Sequence, residues 1–353
     1  MTESQAAIPV WVVTGPLGSG KTTVIASLLA GKPTAENWVV LLNEFTDAGI
    51  DTLTVAAAAR GAFDVRLVPG GCLCCAGEAD FRRNLMQLIS EVKPARILVE
   101  PSGIGHPGGI VDELLAHQQT GALRLEAVVG LLAPDDLERV TSDETVRAAV
   151  EIADVLLLSK SDLAHESTRQ HFAQIVAESF PPKRAAAGIE RGQLDEQLLS
   201  VLATSDAVLA RRRSEQLGAR PALHAHQHAE AHPQDELATN IVKVADGERR
   251  HYQVLGREGA RWSFPRSVAF GEARLVSTLL SAHVLLDSVE RLKAVLRVGD
   301  DDWILLQLVD GRVHLQPTAW RRDNRIEVQC RLAHPLDAAA WDELWQRCRA
   351  GSR

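Results

Sequence analysis

The amino-acid sequence predicts an α/β fold, with a doubly wound, mainly parallel sheet followed by a smaller α+β domain. In the first half of the chain, short apolar runs alternate with helical patterns, which is typical of parallel sheets covered by helices. The runs 97–99 and 155–158 are continuously apolar, and 125–131 is apolar apart from Glu126 and Gly130, as expected of strands buried on both faces. Beyond a polar stretch, strand-like runs recur with helical patterns outside them, which favours a separate α+β domain.

The individual elements follow from the spacing of apolar residues. In the first domain we expect a helix from the residue after Gly20 to about residue 30, a helix over 80–92, and strands at 8–13, 39–42, 65–68, 97–99, 125–131 and 155–158. In the second we expect helices over 272–282 and 337–348, and strands at 241–244, 292–298, 303–309 and 325–330. The predicted organisation is a first domain over 1–205, a histidine-containing linker over 206–238 and a C-terminal domain over 239–353.

Composition excludes several classes of protein. The chain has 353 residues and a net charge of −8, so it lacks the basic footprint of a nucleic-acid binder. No apolar run approaches the roughly 20 residues of a membrane span, and the polar start does not resemble a signal peptide. Five cysteines, three of them crowded together, do not form a disulfide framework. We therefore expect a cytoplasmic protein with neither nucleic acid nor membrane as partner.

A phosphate-binding loop follows the first predicted strand. The pattern Gly15-x-x-x-x-Gly20-Lys21-Thr22 stands between a strand and a helix, the context that this motif requires. Its backbone N–H groups converge on phosphate oxygens, Lys21 reaches the β- and γ-phosphates, and the Thr22 hydroxyl ligates Mg²⁺. The sequence therefore predicts a P-loop nucleoside triphosphatase, with nucleotide bound by Gly15, Gly18, Ser19, Gly20, Lys21, Thr22 and Thr23.

Two further strand ends carry polar groups suited to a nucleotide. Glu100 ends a buried strand in a Walker-B-like arrangement, where it could hold Mg²⁺ through water or orient the attacking water, so Lys21 and Glu100 are the predicted catalytic residues. Lys160 and Asp162 stand where guanine-specific P-loop proteins place Asn-Lys-x-Asp, with Asp162 reading guanine and Lys160 lying over the base. Ser159 replaces the asparagine. This pattern favours GTP over ATP, and an ordinary loop with a helix cap is the alternative.

Three thiols within four residues form the most distinctive cluster of the chain. They are Cys72, Cys74 and Cys75, directly after a Gly-Gly pair. Adjacent cysteines rarely bridge each other, and thiolates favour Zn²⁺ or Cu(I) over Mg²⁺ or Ca²⁺. Zinc prefers four ligands, so the fourth would be a histidine, a carboxylate such as Glu44, or water. The alternative is a buried structural role, which we assign to the isolated Cys330 and Cys348.

Together these residues resemble the CobW-like metallochaperone GTPase family. The resemblance covers residues 8–205 and rests on five elements in order: Gly15–Thr23, Asn43-Glu44-Phe45, Gly70-Gly71-Cys72-Leu73-Cys74-Cys75, Glu100-Pro101-Ser102-Gly103 and Ser159-Lys160-Ser161-Asp162. Residues 264–298 are similar to the start of the family's C-terminal domain. The chain departs from the family pattern at Ser159, at Pro101 where threonine is frequent, and at Thr46-Asp47 where Gly-Glu is common.

The resemblance implies slow GTP hydrolysis coupled to delivery of a metal to a client metalloprotein. Zinc is the favoured metal, and cobalt or iron serves some branches of the family. Residues 43–51 would form a switch that contacts the γ-phosphate. Partner selection would fall to the C-terminal domain, and the sequence is compatible with a homo-oligomer.

Histidines add a second candidate metal site. His224, His226 and His228 alternate, as in the His-rich linkers of many family members, and would project to one side of an extended chain. They form either a weak secondary metal site or simply a polar linker. His106 could approach the metal or the γ-phosphate, or it could cap a helix.

Two other functions remain open from the residues alone. A P-loop small-molecule kinase or ATPase with structural cysteines would prefer ATP and would not respond to zinc. A non-enzymatic metal buffer would use its nucleotide site only for stability, although intact Lys21 and Thr22 argue against it.

Overall fold

The structure is a computed structural model that describes residues 7–42, 63–67, 78–101, 107–204, 240–254, 257–309, 312–331 and 336–351. The chain divides into two compact units, residues 1–229 and 230–353. The linker predicted over 206–238 lies wholly outside the described residues, so the domain bounds stay a prediction.

The first unit is built on a sheet in which neighbouring strands are parallel. Its described strands are β1 Ile8–Thr14, β2 Trp38–Leu42, β3 Phe63–Leu67, β4 Arg96–Glu100, β5 Leu123–Leu132, β6 Val155–Leu158 and β7 Ala185–Gly188. Their order across the sheet is β3-β2-β4-β1-β5-β6-β7. The α-helices are α1 Lys21–Gly31, α2 Glu78–Val92, α3 Gly108–Gln119, α4 Glu144–Ile152, α5 Glu166–Glu178 and α6 Glu196–Ala203.

Apolar side chains on both faces of the sheet account for this layered arrangement. On one face, Trp11, Val129 and Leu157 pack with Ile25 and Leu29 of α1 in one buried cluster. A second buried cluster uses the intervening strand positions, which face the other way. It includes Leu132, Leu156 and Leu158 with Val146 and Val150 of α4 and Phe172 of α5. Side chains of alternate strand positions point to opposite faces, so the continuously apolar strands need cover on both sides.

A buried carboxylate crosslinks three strands at the amino-terminal edge of this sheet. Glu126 of β5 accepts hydrogen bonds from Trp11 Nε1 (3.0 Å) and from Arg96 Nη1 (2.8 Å). Arg124 Nη2 lies 2.5 Å from its other oxygen. The Arg96 guanidinium also lies over the Trp11 ring, 3.8 Å from its centre, and near Trp38. The network joins β1, β4 and β5 away from their carboxyl ends.

The second unit is built on an antiparallel sheet. Its described strands are β8 Asn240–Val244, β9 Gly247–Val254, β10 Arg257–Pro265, β11 Val289–Arg297, β12 Trp303–Val309, β13 Arg312–Pro317 and β14 Asp323–Arg331, in the order β13-β12-β11-β14-β10-β9-β8. The helices are α7 Glu272–Ser281, α8 His283–Leu286 and α9 Ala338–Arg347. Trp341 and Trp345 of α9 pack on Trp262 of β10, and Asp342 accepts a hydrogen bond from Trp262 Nε1 at 2.7 Å. One face of the sheet therefore carries the core of the unit.

The predicted fold class is confirmed, with a parallel α/β unit followed by an antiparallel sheet with helices. The predicted strands and helices all occur, with ends that differ by a few residues. Sequence reasoning missed β7, β9, β10 and β13. The sequence of β7 is Ala-Ala-Ala-Gly, β9 and β10 each carry two arginines and β13 begins with one, so small or polar residues weakened the apolar pattern in each. No helix within the described ranges is long and apolar enough to cross a membrane.

His251 of β9 should make the stability of the second unit depend on pH. Burial lowers the pKa of His251, and the neighbouring Arg249 lowers it further. The unfolded chain then binds the proton more readily than the folded one, so stability should fall as the pH drops below about 6.5, the usual histidine pKa. We expect His251→Gln to flatten this decline in urea unfolding measured from pH 7.5 to pH 5. An unchanged decline in the variant would exclude His251 as its source.

Candidate functional site

Three described strand ends place polar groups at one edge of the parallel sheet. β1 lies between β4 and β5, and β6 follows β5. The strands are parallel, so the carboxyl ends of β1, β4 and β6 meet at the same edge. Connections from β1 and β4 leave toward opposite sides, and the crevice at such a reversal is where ligands bind in open α/β sheets.

The loop from residue 15 to residue 20 joins β1 to α1 with its backbone pressed against β5. Gly15 has φ +152, and a Cβ atom there would lie 2.4 Å from the carbonyl oxygen of Leu131 and 2.6 Å from Ser19 Oγ. Gly18 has φ +82, and no atom lies within 4 Å of the position that a Cβ atom would take there. Glycine is therefore required at residue 15 for close approach and favoured at residue 18 for its dihedral angle.

The amino terminus of α1 is equipped to receive an anion. No side chain caps it, and no acidic residue stands in its first turn. The N–H groups of a first helical turn lack partners within the helix, and the helix dipole favours negative charge there. Beside it, Ser19 is buried and its Oγ has no hydrogen-bond partner in the described part of the chain. A phosphate group fits these unsatisfied donors.

Lys21 is buried within the loop rather than extended into solvent. Its Nζ donates a hydrogen bond to the carbonyl oxygen of Pro16 at 3.2 Å, so the ammonium group folds back over the loop. The adjacent Thr22 is half-buried and Thr23 is exposed. A cation held over a loop of backbone donors is the arrangement by which P-loops grip phosphates.

Glu100 lies at the same edge as this loop. It ends β4, which pairs with β1 on one side, and it is the register partner of Leu42 of β2 on the other. Its side chain is half-buried, and Pro101 after it is buried. Carboxylate and hydroxyl oxygens suit Mg²⁺, so the chemistry of Thr22 and Glu100 fits this ion.

Lys160 joins the loop after β6 to the phosphate loop. Its Nζ donates a hydrogen bond to the carbonyl oxygen of Gly18 at 3.1 Å, across 142 residues of sequence. Its backbone adopts the left-handed conformation at φ 53, which non-glycine residues adopt rarely. Neighbouring Asp162 is exposed, while the backbone N–H of Ser161 is anchored to the carbonyl of Ile189. Sequence reasoning placed Lys160 at the base and missed this contact.

Two further polar groups lie near Lys160. Ser159 is buried, its Oγ has no partner among the described residues, and a Cβ atom on Gly20 would lie 3.8 Å from that oxygen. Burial raises the pKa of Asp136, an effect that its hydrogen bond from Ala133 N and the charges of Arg139 and Lys160 oppose. Asp136 therefore belongs to the electrostatic surroundings of the loop after β6, which sequence reasoning did not detect.

The predicted zinc ligands lie outside the described residues. These are Cys72, Cys74, Cys75 and Glu44, together with the predicted switch 43–51, His106 and the linker histidines His224, His226 and His228. The strand before Glu44 and the strand before the three cysteines are described. β2 ends at Leu42 and β3 at Leu67, and these two residues are register partners. In the described ranges, no group of three or more His, Cys, Asp or Glu side chains could hold a metal ion.

Cys330 and Cys348 have the buried structural role predicted for them. Both are free thiols with no exposed surface, packed in the core of the second unit. Burial raises the pKa of each thiol, which disfavours the thiolate that metal binding requires.

Comparison with known proteins identifies relatives of both units. Residues 9–186 match the family model described as the CobW/HypB/UreG nucleotide-binding domain, and residues 260–349 match the cobalamin synthesis protein cobW C-terminal domain. The zinc chaperone YeiR of Escherichia coli is 32% identical over 319 residues, which cover 86% of this chain and 91% of YeiR. The zinc chaperone CobW of Sinorhizobium is 25% identical over 68% of this chain and 74% of its own.

Among solved structures, the zinc-bound YjiA GTPase of Escherichia coli covers 98% of this chain and 99% of its own, with 16% identity and a TM-score of 0.42. The nucleotide-binding family model spans half of the sequence, and the match to YeiR extends over most of both chains. The chain therefore belongs to the CobW/HypB/UreG family.

Proposed function

We propose that the protein is a GTP-hydrolysing metallochaperone that binds zinc and transfers it to a client metalloprotein under nucleotide control. One observation carries the proposal. A single sheet edge holds the phosphate loop, Glu100 and the Lys160 loop, and the chain segments that bear Glu44 and the three thiols start from that same edge. Relatives described as zinc chaperones support the choice of metal. Cobalt and iron are the alternative cargoes.

Different loops at the carboxyl edge of the parallel sheet would bind the phosphates and the base of the nucleotide. Residues 15–23 and Lys21 would hold the phosphates, with the α1 amino terminus adding backbone donors. Asp162 would accept hydrogen bonds from guanine, beside Lys160. Thr22 and Glu100 would hold Mg²⁺, which neutralises phosphate charge. As in switch GTPases that act without a partner's help, hydrolysis should be slow.

The strand order suggests how nucleotide state could reach the thiols. β2 lies between β3 and β4, and Leu42 is the register partner of both Leu67 and Glu100. Glu44 follows β2 by two residues and Cys72 follows β3 by five, so both segments leave the sheet next to Glu100. GTP that orders residues 43–51 would also position Glu44 near the thiols. Three thiolates and Glu44 would complete the four ligands that zinc prefers.

Coupling of this kind must act in both directions. If GTP raises the affinity for zinc by a given factor, zinc raises the affinity for GTP by the same factor. Hydrolysis would then lower zinc affinity and favour transfer to the client. The linker histidines His224, His226 and His228 would serve at most as a weak secondary site.

A paired titration tests the proposal. We expect a non-hydrolysable GTP analogue to tighten zinc binding by about fivefold or more, the lower range of allosteric coupling. Changing Cys72, Cys74 and Cys75 together to serine should weaken zinc binding at least about a hundredfold, about 2.7 kcal/mol, and remove its response to GTP. Competition with a zinc-sensitive dye and calorimetry of the nucleotide would measure both quantities.

Cys348→Ala is the matched control, because it removes a thiol that is buried far from any exposed surface. It should leave the zinc affinity unchanged. Preference for ATP together with zinc binding that ignores nucleotide would refute the chaperone function and favour a kinase or ATPase. Zinc binding that survived the triple serine change would place the metal elsewhere.

A further inference from the structure

The antiparallel sheet of the second unit has a face that its helices do not use. Trp262, Leu292 and Ile326 belong to the helix-covered core, and residues at the intervening positions point the opposite way. We call these the basic sheet face. Among the side chains that the structure describes, its charged members are the cations Lys243, Arg250, Arg261, Arg291, Lys293, Arg297, Arg312 and Arg325 and the carboxylates Glu248, Asp323 and Glu327.

Strand register places these side chains side by side. Lys293 pairs with Glu327, Glu327 with Arg261, and Arg261 with Arg250, on four adjacent strands. Side chains at paired positions share a face, and strands are about 4.8 Å apart. Three cations and the carboxylate of Glu327 therefore form one row across the sheet.

One carboxylate of this face, Glu327, is recessed, and the more exposed cations project beyond it. The Glu327 side chain is 7% exposed and accepts hydrogen bonds from Arg261 Nε (2.8 Å) and Tyr252 Oη (3.1 Å). By contrast, Arg250 is 37% exposed, Arg291 42% and Lys243 84%. Solvent on this side consequently meets mainly positive charge.

This positive charge is a local feature. The whole chain has a net charge of −8, and residues 230–353 contain 18 Lys and Arg and 18 Asp and Glu. A second unit with no net charge thus concentrates eight cations against three carboxylates on one face of its sheet.

We propose that the basic sheet face is a docking surface for an acidic segment of a partner protein. Planar guanidinium groups bind carboxylates in bidentate fashion, and an array with the spacing of strands suits a polypeptide with repeated acidic side chains. Exposed Ile241, the register partner of Arg250, adds an apolar contact at the end of the array. That the partner is the metal-accepting client rests on the proposed function.

Nucleic acid fits this face less well. Single-stranded nucleic acid stacks its bases on exposed aromatic rings. The aromatic side chains described on this face, Tyr252 and Trp303, are both buried.

Binding of a labelled acidic peptide to the full chain tests the surface. The probe is a fluorescein-labelled peptide that alternates glutamate and serine, followed by fluorescence anisotropy without nucleotide or metal. We expect saturable binding that weakens with salt, since exposed charges are screened. Arg250→Gln with Arg312→Gln should weaken it by about fivefold or more, and the ion pairs of buried Glu327 with Arg261 and Arg291 stay in place. Arg274→Gln with Arg347→Gln, exposed on α7 and α9, should leave it unchanged.

Three results would overturn the docking surface. They are equal binding of a lysine–serine peptide, equal loss in the helix variant, and binding indifferent to salt. Tighter binding of a single-stranded oligodeoxynucleotide, lost in the Arg250/Arg312 variant, would assign the face to nucleic acid instead. Zinc and GTP binding by that variant should match the wild type. Loss of peptide binding therefore does not count against the chaperone function, and a failed zinc or GTP assay does not count against the docking surface.

Discussion

Gly15→Ala is expected to reduce GTP affinity at least about a hundredfold, about 2.7 kcal/mol. The new methyl group would lie 2.4 Å from the Leu131 carbonyl oxygen, which belongs to the backbone of β5 and cannot swing aside. The loop would have to move instead, and its N–H groups would no longer converge on the phosphates. Calorimetric titration with GTP and Mg²⁺ measures the loss, and a thermal melt establishes whether the variant folds.

Gly18→Ala is the matched control for this change. Gly18 has φ +82, but no atom lies within 4 Å of the position where its Cβ would stand. Alanine there strains only the backbone, by about 1–2 kcal/mol, so the loss of affinity should be distinctly smaller. Equal losses in the two variants would show that backbone strain, rather than contact with β5, decides the outcome.

Glu126→Ala is expected to destabilise the first unit by about 3–5 kcal/mol, the range for breaking a buried ion pair. The change leaves the largely buried Arg96 guanidinium without its carboxylate and Trp11 Nε1 without its acceptor. Stacking on Trp11 would remain but would not replace the carboxylate. Urea unfolding followed by tryptophan fluorescence would measure the loss, and the transition of the second unit should not move.

Arg124→Ala provides the comparison, because Arg124 contacts the same carboxylate from a side chain that is 47% exposed. Exposed pairs contribute about 1 kcal/mol or less, so this variant should remain close to the wild type. If both variants lost the same stability, the buried Arg96 contact would not be the source of the effect.

The parallel sheet and the phosphate loop were predictable because their signals are local. β1, β5 and β6 are almost wholly apolar, and the loop motif stands directly between a strand and a helix. By contrast, β7 is a run of alanines that becomes a strand only because β6 lies beside it. β9 and β10 were missed because the outward residues of one sheet face, several of them arginines, hid the alternating pattern.

Contacts between distant residues could not be predicted from the sequence. Lys160 and Gly18 meet only because the sheet places β6 two strands from β1. Asp136 was not predicted as part of the site for a similar reason, because its burial depends on the turn that follows β5. The roles proposed for Cys72, Cys74, Cys75 and Glu44 stay predictions, because those residues lie outside the described part of the chain.

The central position of β1 has a consequence for how the protein is made. β1 is synthesised first, yet its register partners in β4 and β5 begin only at Arg96 and Leu123. On the ribosome this apolar segment lacks both neighbours until β4 begins at Arg96, and it lacks β5 until Leu123. Strand pairs that are distant in sequence form slowly, and their apolar segments stay exposed to aggregation in the meantime. The nascent chain should therefore need shielding early, and its nucleotide site is among the last parts of the unit to mature.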